Sequence, residues 1–422
     1  MGLIIRSLRI FVPLFVGTLI LTGLYFFGSI YQFELKSVPA PNNSSVSVSV
    51  DGDGAVHFAH SVSYEMYNSD QGLYTTSNES GKWHTVRVSD NMSVDSVSIL
   101  SDHDSHSHIA YTYDLDLSTA APPDTVEGYV GYATDTSGAW QTFVVANGTP
   151  LYRPCQLALT AEGLPGILYN DNGNLMLACA SSGPGISFTR ESTGAAALSG
   201  SLAFTPDGVP HVSYVWNEAL KLATRLSPGV WESTTVVASG VSNHFTSVSS
   251  NANGSIGIAY FADNGGKGLW YAIHTTAGWY STRVSNITGS NPSFCSLLLG
   301  DDGIPRISSS FGDTMAMYSV WTDAGWLNRQ LAGGDSMPVD LAVSRDGTAY
   351  VTLGDALNRI DYMTDGGSAT DVASSIPYLF PLGVALIAIA VLFMALELVR
   401  YLKKARDRDR RSDEGGFRAG PL

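Results

Sequence analysis

Residues 201–237 read SLAFTPDGVPHVSYVWNEALKLATRLSPGVWESTTVV. Ser201 to Phe204 is a short apolar run, and Pro206, Asp207 and Gly208 break it with turn chemistry. Val209 to Val215 reads as a second strand and Leu220 to Thr224 as a third. Gly229-Val230-Trp231 leads into a fourth, Ser233 to Val237. Short β-rich runs punctuated by Gly, Pro, Asp and Asn are the signature of strands joined by tight turns.

The unit recurs. Its first turn returns at Gly54, Ser105, Gly163, Gly208, Gly254, Gly303 and Gly347, between 44 and 58 residues apart. Its Gly-plus-aromatic step returns at Gly81-Lys82-Trp83, Gly138-Ala139-Trp140, Gly278-Trp279 and Gly325-Trp326, with a weaker copy at Gly185 to Phe188. Four short strands repeated at such a period fit the blade of a β-propeller. The fold class is therefore all-β, a seven-bladed β-propeller, with closure by six or eight blades left open. Small residues in each first strand, as in Gln156 to Leu159, suit the crowded axis. The repeated Trp is expected to wedge between blades. The seventh unit lacks a clear fourth strand after Thr364, and residues 33–38 are expected to supply it and close the ring.

The repeat resembles those of prokaryotic cell-surface propellers, which read roughly S-L-A-x-D-x-x-G-x-P-H-I-S-Y followed by G-x-W. The resemblance spans about residues 45–365 and is strongest at 201–237. Thr134 to Trp140 is also similar, with altered spacing, to the Asp-box of sialidase-type propellers. The first resemblance implies a secreted or surface scaffold. The second implies an architectural element at a blade turn, not an activity.

Both ends of the chain carry apolar runs. No charged residue interrupts 10–33, and another uncharged run covers 372–396. About 20 apolar residues cross the hydrocarbon core of a bilayer. Basic residues flank both runs on one side: Arg6 and Arg9 before the first, and Arg400 to Arg411 after the second. Positive flanks stay cytoplasmic. The expected organisation is a cytoplasmic segment 1–9, a transmembrane helix 10–33, an extracellular propeller 34–371, a second transmembrane helix 372–399 and a cytoplasmic tail 400–422. Expected partners are the lipid bilayer, a glycan or protein ligand at a propeller face, and a membrane protein engaged through the helices. The expected location is the plasma membrane, with both termini inside.

The formal net charge is −15, with 38 Asp and Glu against 23 Lys and Arg. Such a balance does not neutralise phosphates over a large face, so nucleic acid is excluded as a partner. Seven sequons, at Asn42, Asn43, Asn78, Asn91, Asn147, Asn253 and Asn286, agree with an outside location and a glycoprotein.

Candidate chemistry is sparse. In an extended strand, Asp102, Asp104, His106 and His108 share one side and mix ligand types suited to zinc or a similar divalent ion. A solvated turn is the competing reading. His57, His108 and His211 share one place in three repeats, which marks a structural position. Trp216 and Trp270 stand outside the repeat pattern and are the candidate ligand contacts, together with an insertion at 115–126. No catalytic motif appears, so no catalytic residue is assigned. The expected function is recognition, adhesion or surface structure. An extracellular carbohydrate-active hydrolase and an assembly subunit of a membrane complex are the alternatives. Cys155 and Cys295 occupy matching repeat positions and are expected to be free.

Overall fold

The computed structural model describes residues 33–40, 45–62, 71–90, 92–114, 127–150, 154–182, 185–263, 267–286, 292–311, 315–331, 338–353 and 359–365, together with 399, 400, 402, 403 and 406. The expected spans 10–33 and 372–399 lie outside these residues, apart from Phe33 and Val399. Among the described residues no helix is long and apolar enough to cross a membrane. The few described residues of the tail, Val399 to Arg406, are helical and exposed.

Residues 33–365 form seven four-stranded antiparallel sheets. Blade one is Ser45–Val50, Val56–Val62, Gly72–Ser77 and His84–Asp90. Blades two to six follow in order, at 93–150, 156–196, 200–237, 241–286 and 292–331. The first strand of each blade contacts the first strands of both neighbours, so these strands ring a central axis. The seventh blade takes three strands from 338–364 and its outermost strand from Glu34–Pro39. That strand pairs antiparallel with Arg359–Thr364, placing Glu34 opposite Thr364 and Pro39 opposite Arg359. The expected closure by the leading strand is what the sheet order shows, and seven blades complete the ring.

The turn that identifies the repeat is built the same way each time. Its fourth residue sends its N–H back to the carbonyl of the first, from Gly54 to Asp51 and from Gly208 to Thr205, and likewise in the other five blades. That fourth residue is left-handed in all seven copies, with φ between 66° at Ser105 and 90° at Gly347. A residue without Cβ adopts this conformation at no steric cost, which is why six of the seven are Gly.

Between the blades lie seven apolar layers. Trp83, Trp231, Trp279 and Trp326 each pack into the layer between their own blade and the preceding one, and Phe188 does so in the weaker copy. The aromatic step of the repeat is thus the wedge expected from the sequence.

A second device joins the blades near the axis. At one register position the first strands carry Ser47, Ser98, Gln156, Ser201, Ser247, Ser296 and Asp340. Ser47 Oγ accepts the N–H of Ile99 in the next blade at 3.1 Å. Ser98 accepts from Leu157, Gln156 from Leu202, Ser201 from Val248 and Ser247 from Leu297, at 2.7 to 3.2 Å. Asp340 accepts from Val48 across the closing junction at 3.2 Å. The innermost strand of a blade has one unpaired edge, and these side chains satisfy N–H groups there. The remaining junction differs: Leu341 N–H turns to its own Asp340 carboxylate, and Ser296 Oγ donates to the same group at 3.1 Å.

Candidate functional site

Strands one and two meet at turns on one end of the disc, and strands three and four meet on that same end. We call it the turn face. The loops from strand two to three and from blade to blade lie on the opposite end, the loop face. The axial ring of first strands walls a cavity of about 620 Å³. Ser98, Gln156, Ser247, Ser296 and Asp340 line its depth, with Ile99, Leu157, Leu202, Val248 and Leu297 between them. Its rim carries turn-face residues Asp301, Asp302, Arg306 and Arg345.

The cavity is polar but already internally paired. Both Asp340 oxygens are engaged, Oδ1 by Leu341 N–H and Ser296 Oγ, and Oδ2 by Val48 N–H and Ser47 Oγ. Desolvation pushes the Asp340 carboxyl above the usual carboxylate range, and its four donors oppose that shift without cancelling it. At the rim, Arg306 Nη2 donates to Asp302 Oδ2 at 2.9 Å, and this pairing is the main reason the Asp302 carboxyl sits low. The two displaced carboxyls of this lining, Asp340 raised and Asp302 lowered, are each held by their own hydrogen-bond partners.

The segment expected to hold a metal is a turn from Asp102 to Ser105, and the strand begins only at Ser107. Asp102, His106 and His108 nevertheless meet. Asp102 Oδ2 lies 3.3 Å from His106 Nδ1 and 3.2 Å from His108 Nε2. Asp102 Oδ1 accepts the backbone N–H groups of Asp104 and His106, both at 2.9 Å. Asp104 does not join them, because the turn directs it to exposed His103. Among the described residues no group of three or more His, Cys, Asp or Glu side chains is arranged to hold a metal ion. Burial alone would raise the Asp102 carboxyl, but the His106 amide and the His108 ring outweigh it and the net shift is downward. Burial lowers His108, with Asp102 opposing.

Blade one repeats this arrangement, which the sequence reading missed. Asp51 Oδ2 lies 3.1 Å from His57 Nε2, and His57 Nδ1 lies 3.4 Å from Ser107 Oγ of the next blade. The order carboxylate, imidazole, hydroxyl is that of a nucleophile relay. Ser107 is only 1% exposed, so no substrate reaches its oxygen. These groups tie a turn to the start of its second strand and, in blade one, to the neighbouring blade. His211 in blade four bonds Thr224 Oγ1 at 3.0 Å instead. All three histidines at the shared position thus make side-chain hydrogen bonds within their own blades.

The two candidate tryptophans separate. Trp216 is 48% exposed at the loop face, beside a two-residue hairpin in which Asn217 and Glu218 are both left-handed, with φ of 49° and 59°. Trp270 is half-buried in the layer between blades four and five, with the Arg283 guanidinium 5.6 Å from its ring centroid. Of the sequons, Asn147, Asn253 and Asn286 are exposed. Asn78 is half-buried, and its Oδ1 accepts the Val56 N–H at 2.7 Å. Asn42, Asn43, Asn91 and the insertion 115–126 lie outside the described residues. Cys155 and Cys295 are free and buried, and burial pushes both thiols up to about 12. Cys179 is free and half-buried.

No protein-family model and no curated protein sequence matches this chain. Among solved structures it is similar to a streptogramin B lyase, at 12% identity and a TM-score of 0.49 over 78% of this chain and 97% of that one. It is also similar to the Aleuria aurantia lectin, at 11% identity and 0.45 over 69% and 96%. A third is the Hadza microbial sialidase Hz136, at 11% identity and 0.44 over 76% and 65%.

Proposed function

We propose that this chain is a membrane-tethered β-propeller displayed outside the cell, which recognises a glycan or protein ligand with its loop face. One observation carries the reading: Glu34, where the chain enters the disc, lies opposite Thr364, where it leaves. Both points are on the turn face and on the same blade. The apolar run 10–33 ends next to Glu34 in the sequence and the run 372–396 begins eight residues after Thr364, a short connection for two helices that share one bilayer. The basic flanks of both runs support cytoplasmic termini. The loop face, opposite the two points where the chain enters and leaves, is the face assigned to the ligand. Among the described residues, Trp216 is a large aromatic ring exposed there, a surface suited to stacking on a sugar ring or an apolar side chain.

Two measurements test this. Protease added outside intact cells should cut within the propeller loops while a tag on residue 422 stays protected. A glycan array and a protein pull-down with the full chain in detergent should then find a ligand whose binding falls on Trp216→Ala while the melting temperature holds. Protection of the propeller from outside protease overturns the topology. Binding unchanged by Trp216→Ala overturns the assignment of the face.

A further inference from the structure

The pairing inside the axial cavity is one-sided. Ser98 Oγ accepts the Leu157 N–H, Ser247 Oγ the Leu297 N–H and Ser249 Oγ the Leu299 N–H. A hydroxyl that accepts one bond still has its own proton to give. Among the described residues no acceptor takes the protons of these three. Gln156 Oε1 accepts the Leu202 N–H at 2.7 Å, which fixes the orientation of the amide and leaves its two N–H donors unspent. All four residues line the cavity. A strand edge presents C=O groups beside its N–H groups, so the inner edges of the first strands add main-chain acceptors around the same axis.

The charges of the lining are, by contrast, engaged. Both Asp340 oxygens have their donors, Asp302 holds Arg306, and Asp301 Oδ1 accepts the Ala252 N–H at 2.9 Å. Arg345 is exposed on the rim and lies over Gly52 of the first blade. A cation finds no open carboxylate at the floor, and an anion meets the Asp340 carboxyl there. The wall between the polar groups is aliphatic, with Leu157, Leu202, Val248 and Leu297. The lining runs from the register of Ser98, Gln156 and Asp340 to the turns, and none of it lies on the loop-face side of that register. The cavity is therefore a cup that opens at the turn face. Its volume of about 620 Å³ falls among small-molecule sites, which span about 300–1,000 Å³ and combine apolar walls with a few placed polar groups.

We infer that this cup binds a neutral polyhydroxylated molecule of mono- or disaccharide size, entering from the turn face. Hydroxyl groups both give and take hydrogen bonds, which matches unspent side-chain donors and main-chain acceptors on one wall. The C–H faces of the ligand rest on the leucines. Gln156 Nε2 and the hydroxyls of Ser98 and Ser247 donate to its oxygens at the floor. The site is separate from the loop-face surface around Trp216 and does not depend on the tether.

The test is saturation-transfer NMR on the full chain in a sugar-free detergent. The probes are D-glucose, D-galactose, maltose and myo-inositol, with glucosamine and glucuronate as charged comparisons. The expected result is binding of at least one neutral probe and weaker binding of both charged ones. Gln156→Glu keeps an oxygen for the Leu202 N–H but removes the amide donors, and should weaken binding about tenfold, as expected for a lost hydrogen bond. Ser250 lines the mouth, where its Oγ reaches only the Asn251 carbonyl, at 3.4 Å. Ser250→Phe should therefore obstruct entry and abolish binding with little change in melting temperature, which keeps the test independent of how well Gln156→Glu folds. Trp216→Ala should leave this binding unchanged. If no neutral probe binds, the cup holds water and the inference is overturned. Binding lost in Trp216→Ala but kept in Gln156→Glu and Ser250→Phe overturns it too, and leaves the loop-face reading standing. Equal binding of the charged probes overturns the ligand class.

Discussion

The carboxylate of Asp340 in the last blade accepts the N–H of Val48 in the first at 3.2 Å, as the polar residue at this register does at five of the other six junctions. This junction is where a ring of blades made from one chain must be fastened to itself. Its carboxylate also accepts from Ser47 of the first blade and Ser296 of the sixth, one hydroxyl from each neighbouring blade.

Replacing Asp340 separates its roles. Asp340→Leu strands the Val48 N–H and two hydroxyls and is expected to cost about 3 kcal/mol, because each buried donor left unmade costs about 1–3 kcal/mol. Asp340→Ser places there the side chain found at this register in other blades and is expected to cost about half as much. Urea unfolding of the two variants measures the difference; equal losses would remove the acceptor from the explanation.

Ser105 is left-handed, with φ of 66°, where the other six copies of the turn hold Gly. Ser105→Gly is expected to stabilise by about 1 kcal/mol, the cost of that conformation for an L-residue. At Gly208, φ is 78° and an added Cβ would meet nothing within 4 Å, so Gly208→Ala should lose about the same amount through the backbone alone. Thermal melts that moved in the same direction for both would contradict this.

Acid should weaken the propeller through His60. Burial lowers its pKa to about 3, from an ordinary value of 6.5. The unfolded chain therefore binds the proton first, and stability present above about pH 6.5 is lost as the pH falls toward 3. His108 and the lowered carboxyls Asp51 and Asp102 act in the same direction. Asp340, raised by desolvation, acts in the opposite one. His60→Tyr restores the residue at the matching place in blades two, four and five, Tyr111, Tyr214 and Tyr260. It should flatten the fall in stability between pH 6.5 and 4, read as denaturant midpoints across that range, whatever its effect at pH 7.

Val38 is 1% exposed in the layer between blades seven and one. Val38→Asp buries an unpaired charge in the closing strand and should release it. Hydrogen exchange at 359–364 would then rise far more than at 210–216, whose strand belongs to a blade made from contiguous chain. Uniform acceleration would mean that the ring opens everywhere at once.

Much of this architecture was legible because it is periodic. Turn chemistry at Gly208 and its copies fixed the blade boundaries, and the missing strand after Thr364 pointed to residues 33–38. Strand ends shifted by up to three residues. The fourth strand of blade four begins at Val230, not Ser233, because Trp231 pairs with Arg225. The small residues of the first strands were visible, but the role of the polar residue beside them, Ser in five blades, Gln156 in blade three and Asp340 in blade seven, was not. In five blades its side-chain oxygen accepts an N–H group from the next blade, a relation between chain positions some 45 to 60 apart that no local pattern reveals. The cluster at Asp102 was half legible. Alternation put four ligand-type residues on one side, yet the backbone reverses at Ser105, so Asp102 folds back onto His106 and His108 while Asp104 turns outward.

The closing pair also has a mechanical consequence. Glu34 and Thr364 sit at the same end of an antiparallel ladder, so a pull that separates the two termini loads its bonds one after another, starting from the outside. A ladder stressed in that direction peels at low force, whereas one stressed along its length would hold until all its bonds shear together.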